Sequence, residues 1–365
     1  MALCAAAWLE VPLSCNNLAE HWKRCVRQST IQTQDNCKLS LVAFCKQCYN
    51  ETVYSYRKTE DDMNSIKSRI ESLKKEKNAV ILAHYYVPGE VQEIADYIGD
   101  SFYLSKIAKE AEQDTIIFCG VSFMGESAKI LSPGKRVFMP DITAGCPMAE
   151  MAQAGRIEEV RREYGDVAVV CYINSTGELK KHSDVCVTSA NAVKIVKALP
   201  NKNIYFIPDE NLGRYVASQV PEKHFIFNDG YCPVHAEVSR DDVKAAKGAH
   251  PGAPLLVHPE CRMEILEEAA YIGSTSGIID YAAKSSAAEF IIGTELGVLY
   301  KLEKENPDKK FYPLTPCLVC QDMKKINLEK VLKCMEEETG EVEVEEELRN
   351  SALASLDNML ELASL

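Results

Sequence analysis

The sequence predicts an α/β protein made of three copies of one strand–helix unit, each a small three-layer α/β/α domain. Three observations predict it. From Ala79 onward, short apolar runs alternate with segments of helical periodicity. Three stretches open alike: VILAHYYVPGE, VAVVCYINSTGE and PLLVHPECRME. Landmarks then recur at fixed offsets, with His84 to Ser101, Tyr172 to Ser189 and His258 to Thr275 each spanning 17 residues. His84 to Cys146, Tyr172 to Cys232 and His258 to Cys320 span 62, 60 and 62 residues. Repetition at this period is read before any single motif.

Within each copy the order expected is strand, helix, short strand ending in Ser or Thr, helix, strand, helix, and a last strand running up to a cysteine. The last strands read RVFMPDITAGCP, HFIFNDGYCP and KFYPLTPCLVC. Parallel strands joined by helices bind ligands outside their carboxyl ends. Three units around a pseudo-threefold axis would aim those ends at one central site. The predicted segments are an N-terminal extension over 1–62, repeats over 63–146, 147–232 and 233–320, and a helical C-terminal segment over 321–365. Met63 opens a lysine-rich amphipathic helix, Asn64 to Lys77, and stands as a natural start of the folded protein. The preceding residues hold six cysteines without strand–helix alternation, and Cys45-Lys46-Gln47-Cys48 has zinc-like spacing without regular partners.

Composition limits the function. The chain has 365 residues, too many for one ordinary domain, and 46% are apolar, enough for real cores. Forty-one basic residues face 54 acidic ones, a net charge of −13, with eight acids between Glu336 and Glu347 expected on a solvated surface or helix end. No basic cluster suggests a nucleic-acid partner. No run of 18 apolar residues suggests a membrane span, and Glu10 interrupts the only short apolar stretch near the start. Fifteen cysteines outside a compact secreted framework point to a reducing cytoplasm and to metal, redox or burial roles. A Walker loop, GxGxxG, HExxH and GxSxG are all missing, which leaves nucleotide and hydrolase readings without support.

Rotation of the repeats would make neighbours of residues far apart in sequence. Cys146, Cys232 and Cys320 would form a triangle of thiolates suited to an iron–sulfur cluster. Three cysteines on four irons leave one iron open to act as a Lewis acid. The plainer alternative is burial of strand-end cysteines, and a structural zinc would need His235 as its fourth ligand. Cys119, Cys171 and Cys186 lie in apolar strand patterns and belong to the core, while Cys317 forms a CxxC with Cys320. Ser101, Ser189 and Thr275 (with Ser274) precede helices, as N-caps or as parts of an anion site at helix N-termini. His84-Tyr85-Tyr86, Tyr172-Ile173-Asn174 and His258-Pro259-Glu260 supply imidazole, phenol, amide and carboxylate for proton transfer. A cluster carrier and a passive anion sensor are the competing readings, but neither needs these rings of acid–base groups.

From about Asn64 onward the chain resembles quinolinate synthase, in the motifs AHYYVPGEVQEIADYIGDS, PDITAGCPMAEM, YINSTGE, PDENLGRYV, GYCPVH, HPEC, GSTSGI, IGTELG and CQDMKKI. The resemblance covers some 300 residues. It implies condensation of iminoaspartate with dihydroxyacetone phosphate to quinolinate, phosphate and two waters, in the de novo synthesis of NAD. It implies a [4Fe–4S] cluster on Cys146, Cys232 and Cys320, and Tyr86, His258 and Glu260 as proton-transfer residues. It also implies substrate contacts at His84, Ser101, Tyr172, Asn174, Ser189, His235 and Thr275, with L-aspartate oxidase as the source of iminoaspartate. The chain departs from the family in its first 62 residues and at Tyr85, where many relatives carry asparagine. The Cys317/Cys320 pair leaves two candidates for the third ligand, of which the following QDMKK favours Cys320.

Overall fold

The computed structural model describes residues 60–364, and the cysteines of the first sixty residues, including the Cys45/Cys48 pair, lie outside them. The helix expected at Met63 runs over Glu60–Glu76 (α1). Three units of one element order follow. The first is β1 (Ala79–His84), α2 (Gly89–Ile94), β2 (Tyr97–Gly99), α3 (Ser101–Glu110), β3 (Thr115–Cys119), α4 (Ser122–Leu131) and β4 (Arg136–Phe138). Helix α5 (Ala154–Glu163) leads into β5 (Val167–Tyr172), α6 (Gly177–Lys181), β6 (Val185–Val187), α7 (Ala192–Ala198), β7 (Asn203–Ile207), α8 (Glu210–Gln219) and β8 (His224–Phe227). Helices α9 (Pro233–Ala236) and α10 (Arg240–Ala249) lead into β9 (Leu255–Val257), α11 (Met263–Leu266), β10 (Tyr271–Ile272), α12 (Thr275–Lys284), β11 (Glu289–Gly293), α13 (Val298–Glu305) and β12 (Lys310–Pro313). Helices α14 (Leu328–Glu337) and α15 (Glu346–Ser364) complete the chain, and Met63–Leu365 is one compact unit.

Each unit forms a four-stranded parallel sheet in which the second strand is at one edge, beside the first, third and fourth in turn. The register repeats as closely as the topology. Ala79 pairs with Thr115, Val167 with Asn203 and Leu255 with Ile291, 36 residues apart each time. Thr115 pairs with Arg136, Asn203 with His224 and Glu289 with Lys310, 21 apart each time. Strands β1 and β5 are buried at every position, as expected of parallel strands covered on both faces. The strand order reverses between the first and third strands, so the crevice beyond their carboxyl ends is the natural ligand position. His84 and Tyr172 end β1 and β5, and His258 follows β9.

One expectation is corrected. The last strands stop at Phe138, Phe227 and Pro313, well before their cysteines, which lie in loops. Pro140, Asp229-Gly230 and Thr315-Pro316 end the ladders, because proline lacks a donor and Asp-Gly favours turns. The acidic stretch is exposed and lies at helix ends, as expected, and it also covers a sheet edge. Glu338 ends α14 with φ 52, and Gly340 has φ 82, where a Cβ would lie 2.2 Å from the Met139 carbonyl. The chain then runs antiparallel beside β4, with Met139 N–H donating to Gly340 O (2.8 Å) and Val342 N–H to Val137 O (2.7 Å). Arg136 pairs with Glu338 (2.8 Å) and Glu341 (3.0 Å), and Arg69 with Glu336 (3.3 Å). An exposed sheet edge is thus covered and charged. Helix α15 buries Ala352, Ser355, Leu356 and Met359 against α4 of the first unit and α6, β6 and α7 of the second.

Candidate functional site

Glu260, two residues past His258, is buried and sits among groups from distant parts of the chain. Its Oε1 accepts the Tyr172 O–H (2.7 Å), and its Oε2 lies 2.7 Å from His235 Nδ1 and 3.6 Å from His258 Nδ1. His258 Nε2 is 3.1 Å from Ser189 Oγ, and the His235 and His258 rings lie 4.8 Å apart. On the other side, His235 Nε2 is 3.0 Å from Thr294 Oγ1. Thr294 Oγ1 is 2.8 Å from the Tyr86 hydroxyl, which is also 2.7 Å from Thr275 Oγ1. His84 packs edge-on against Tyr86, its centroid 4.5 Å away, and its Nδ1 accepts the Tyr86 N–H at 3.2 Å. Asn174 Oδ1 is buried without a hydrogen-bond partner.

Burial sets the charge states. Burial lowers His84 to about 3 and His258 to about 4, although Glu260 partly opposes it in both. Both imidazoles are therefore neutral at physiological pH. Burial alone would raise Glu260, but His258, His235 and the hydrogen bonds from His235 and Tyr172 outweigh it and hold the carboxyl near 2. Burial and the Glu260 charge push the Tyr86 and Tyr172 phenols well above their ordinary range, so both keep their protons.

The capping expectation holds at Ser274, and in the first unit the cap is Asp100, one residue before Ser101. Asp100 caps α3 by accepting the Tyr103 N–H (3.0 Å), and Ser274 caps α12 by accepting the Gly277 N–H (3.1 Å). Ser101 and Thr275 are the first helical residues, and Thr275 gives its hydroxyl to Tyr86 instead. Ser189 likewise does not cap α7, whose N-cap is Asn191.

The three cysteines share this region. Cys146 and Cys232 immediately precede short helical turns that open with Pro147 and Pro233, and Cys320 precedes the turn at Met323–Lys325. None of the cysteines among the described residues is in a disulfide. Burial raises Cys146 to about 12 and Cys320 to about 11, and raises Cys232 well above its ordinary value. Ionisation of Cys320 would raise Cys146 further, and that of Cys146 would raise Cys232, so the thiols are electrostatic neighbours. Three soft donors that resist ionisation without a cation nearby suit an iron–sulfur cluster. Cys232, His235 and Glu260 also place one ligand atom each within 4.8 Å of one another, the geometric basis for a single-ion alternative.

Several residues that hold the site escaped sequence reasoning. Asp209 accepts the Cys232 N–H (2.8 Å), and Glu295 accepts the Cys320 N–H (3.1 Å). Both are fully buried and stand after the third strand of their units, within PDENLG and IGTELG. Their common place in the repeat was the available signal. Asp209 occupies φ 56, a strained conformation for a residue with a Cβ. The first unit has Val121 at the corresponding place, and its cysteine loop is held by Asp322 accepting the Gly145 N–H (3.1 Å). Lys324 pairs with Glu295 at 2.8 Å and donates to the Tyr86 carbonyl, and Thr294 links Tyr86 to His235. Thr294 lies in IGTELG and Lys324 in CQDMKKI, but neither motif gave them a role.

A family model described as quinolinate synthetase A protein matches residues 68–361. The chain belongs to the quinolinate synthetase A family. It is 53% identical over 302 residues to a quinolinate synthase of Caldicellulosiruptor saccharolyticus, covering 83% of this chain and all of the relative. A quinolinate synthase of Fusobacterium nucleatum is 53% identical over 298 residues, 82% of this chain and 99% of the relative. One from Clostridioides difficile is 50% identical over 295 residues, 81% and 97% respectively. The family match spans all three sheets, the cysteine loops and every candidate residue named above.

Proposed function

We propose that the chain condenses iminoaspartate with dihydroxyacetone phosphate to give quinolinate, phosphate and two waters, as a step in NAD synthesis. The observation that carries the reading is the convergence on Glu260 of acid–base groups from different units. An arrangement of the three units about a pseudo-threefold axis accounts for that convergence. Cys146, Cys232 and Cys320 would hold a [4Fe–4S] cluster, which when bound supplies an open Lewis-acidic iron for the dehydrations.

The chain's own side chains account for binding and proton movement. The hydroxyls of Ser101, Ser189 and Thr275 and the unpartnered amide oxygen of Asn174 are suited to hold the polar groups of the substrates. Glu260, ionised and flanked by neutral His258, is the base for carbon-bound and hydroxyl protons. Tyr86, protonated and held by two threonine hydroxyls, is the acid that moves a proton during isomerisation and phosphate loss. Tyr172 donates to Glu260 and keeps the carboxylate oriented, while His84 and His235 line the same region. Iminoaspartate is labile, so an L-aspartate-oxidising flavoenzyme, L-aspartate oxidase, is its fitting source. A reducing cytoplasm suits the thiol ligands, and no helix among the described residues is long and apolar enough to cross a membrane.

Anaerobic purification with iron, sulfide and zinc analysis, beside a quinolinate assay, tests the reading. We expect about four irons per chain and loss of activity in Cys146→Ser, Cys232→Ser and Cys320→Ser. Stoichiometric zinc would favour the Cys232–His235–Glu260 site instead. Quinolinate formation by metal-free protein would overturn the cluster.

A further inference from the structure

One hydroxyl stands between the Tyr86 phenol and the His235 imidazole. Thr294 Oγ1 is 2.8 Å from the first and 3.0 Å from His235 Nε2, and the residue is fully buried. We propose that Thr294 is a positioning residue for the reaction, its shared hydroxyl fixing the Tyr86 phenol against the His235–Glu260 pair. The proposal rests on the roles given above to Tyr86 and Glu260.

A threonine hydroxyl has one hydrogen and two lone pairs. Thr294 can therefore bond two neighbours at once, whichever of them donates. Glu260 Oε2 is an acceptor 2.7 Å from His235 Nδ1, so Nδ1 carries hydrogen and can share it with the Cys232 sulfur 3.2 Å away. Thr294 Oγ1 is within hydrogen-bond reach of both Nε2 and the Tyr86 hydroxyl. The Tyr86 hydroxyl shares a second hydrogen bond with Thr275 Oγ1. One hydrogen-bonded chain thus runs Thr275–Tyr86–Thr294–His235–Glu260–Tyr172, through groups of all three units.

Thr294 is well placed to anchor that chain. It follows β11, whose backbone is paired on both sides by β9 and β12, and precedes Glu295, which is tied to Gly297 (2.7 Å), Cys320 (3.1 Å) and Lys324 (2.8 Å). Its β-branched side chain has little rotamer freedom. Tyr86, by contrast, lies in the turn after β1, and its phenol is held by two threonine hydroxyls of the third unit.

The test compares Thr294→Val, isosteric but without the hydroxyl, and Thr294→Ser, which restores it, with Glu260→Gln in the anaerobic holoenzyme. Misplacing a reacting group predicts a kcat about 10–100-fold lower in Thr294→Val with KM changed less than about threefold, and recovery in Thr294→Ser to within about threefold of wild type. Wild-type kcat in Thr294→Val beside an inactive Glu260→Gln would overturn this proposal and leave the function standing. A serine variant as impaired as valine would overturn it too, since the methyl group and not the hydroxyl would matter. A wild type that makes no quinolinate would instead sink the underlying function. A crystal structure of Thr294→Val decides the anchoring without an assay: a displaced Tyr86 ring supports it, and unmoved Tyr86 and His235 rings overturn it. Should the valine variant fail to fold, Thr294→Ala takes its place in both measurements.

Discussion

Glu260 organises the candidate site because a buried carboxylate needs partners for its charge, and it has three. Its neutralisation should separate chemistry from structure. Glu260→Gln keeps the shape and removes the base, so kcat should fall about 10²–10⁴-fold while iron content stays at the wild-type level. A loss of iron in parallel with activity would mean that the residue serves the cysteines and not the substrates. The residue type and its neighbour His258 were legible in His-Pro-Glu-Cys. Its partnership with Tyr172 was not, because 88 residues separate the two and only packing brings them to 2.7 Å. Thr294 and Lys324 were illegible for another reason. Threonines and lysines are common, and what makes these two special is burial beside a specific group.

At the scale of elements, the helix starts show how a sequence signal can be right in kind and displaced in position. Ser274 caps as expected, but in the first unit the capping fell to Asp100, one residue before Ser101. Those caps leave the Thr275 hydroxyl free for Tyr86 and Ser101 without a capping duty. Asp100 also accepts the Ser276 O–H (2.6 Å), joining the first and third units. Asp100→Ala should therefore cost more than a simple cap, about 1–2 kcal/mol. Scanning calorimetry would read this as a thermal midpoint about 2–6 °C lower, and an unchanged midpoint would show that neither bond contributes. The strand ends were misjudged for a related reason. Met139 continues the apolar run beyond Phe138, yet backbone pairing depends on donors and turns that hydrophobicity does not report.

At the scale of the whole molecule, the buried imidazoles predict how stability varies with pH. His84 and His258 have folded values near 3 and 4 against an ordinary 6.5, so below pH 6.5 the unfolded chain binds protons that the folded chain refuses. Stability should then fall as pH drops from about 6.5 toward 4, by on the order of 3 kcal/mol for His258 alone. Glu260 adds to the same trend further down. Its stabilisation is fully present above 4.5 and is lost as pH falls through about 2. Thermal midpoints should hold between pH 8 and about 7 and decline from about pH 6.5 toward pH 4, with a shallower decline in His258→Asn. A flat profile would show that the histidines are not buried as neutral groups. The C-terminal segment acts at this scale as well. Its acids, exposed and at helix ends as the charge run predicts, also close the edge of the first sheet, and its last helix joins two units.

The sequence by itself determined the α/β class, the threefold repetition and the landmark residues of each copy. Those depend on periodic apolar burial and on spacing along the chain, and both are local properties. The tertiary structure alone decided which landmarks touch. It also decided which hydroxyls cap and which are left over, and which ordinary residues, Asp209, Thr294, Glu295 and Lys324, hold the site in place. Hydrogen bonds and charge pairs act over about 3–4 Å, a scale at which only the folded arrangement, and not the order of residues, determines the neighbour.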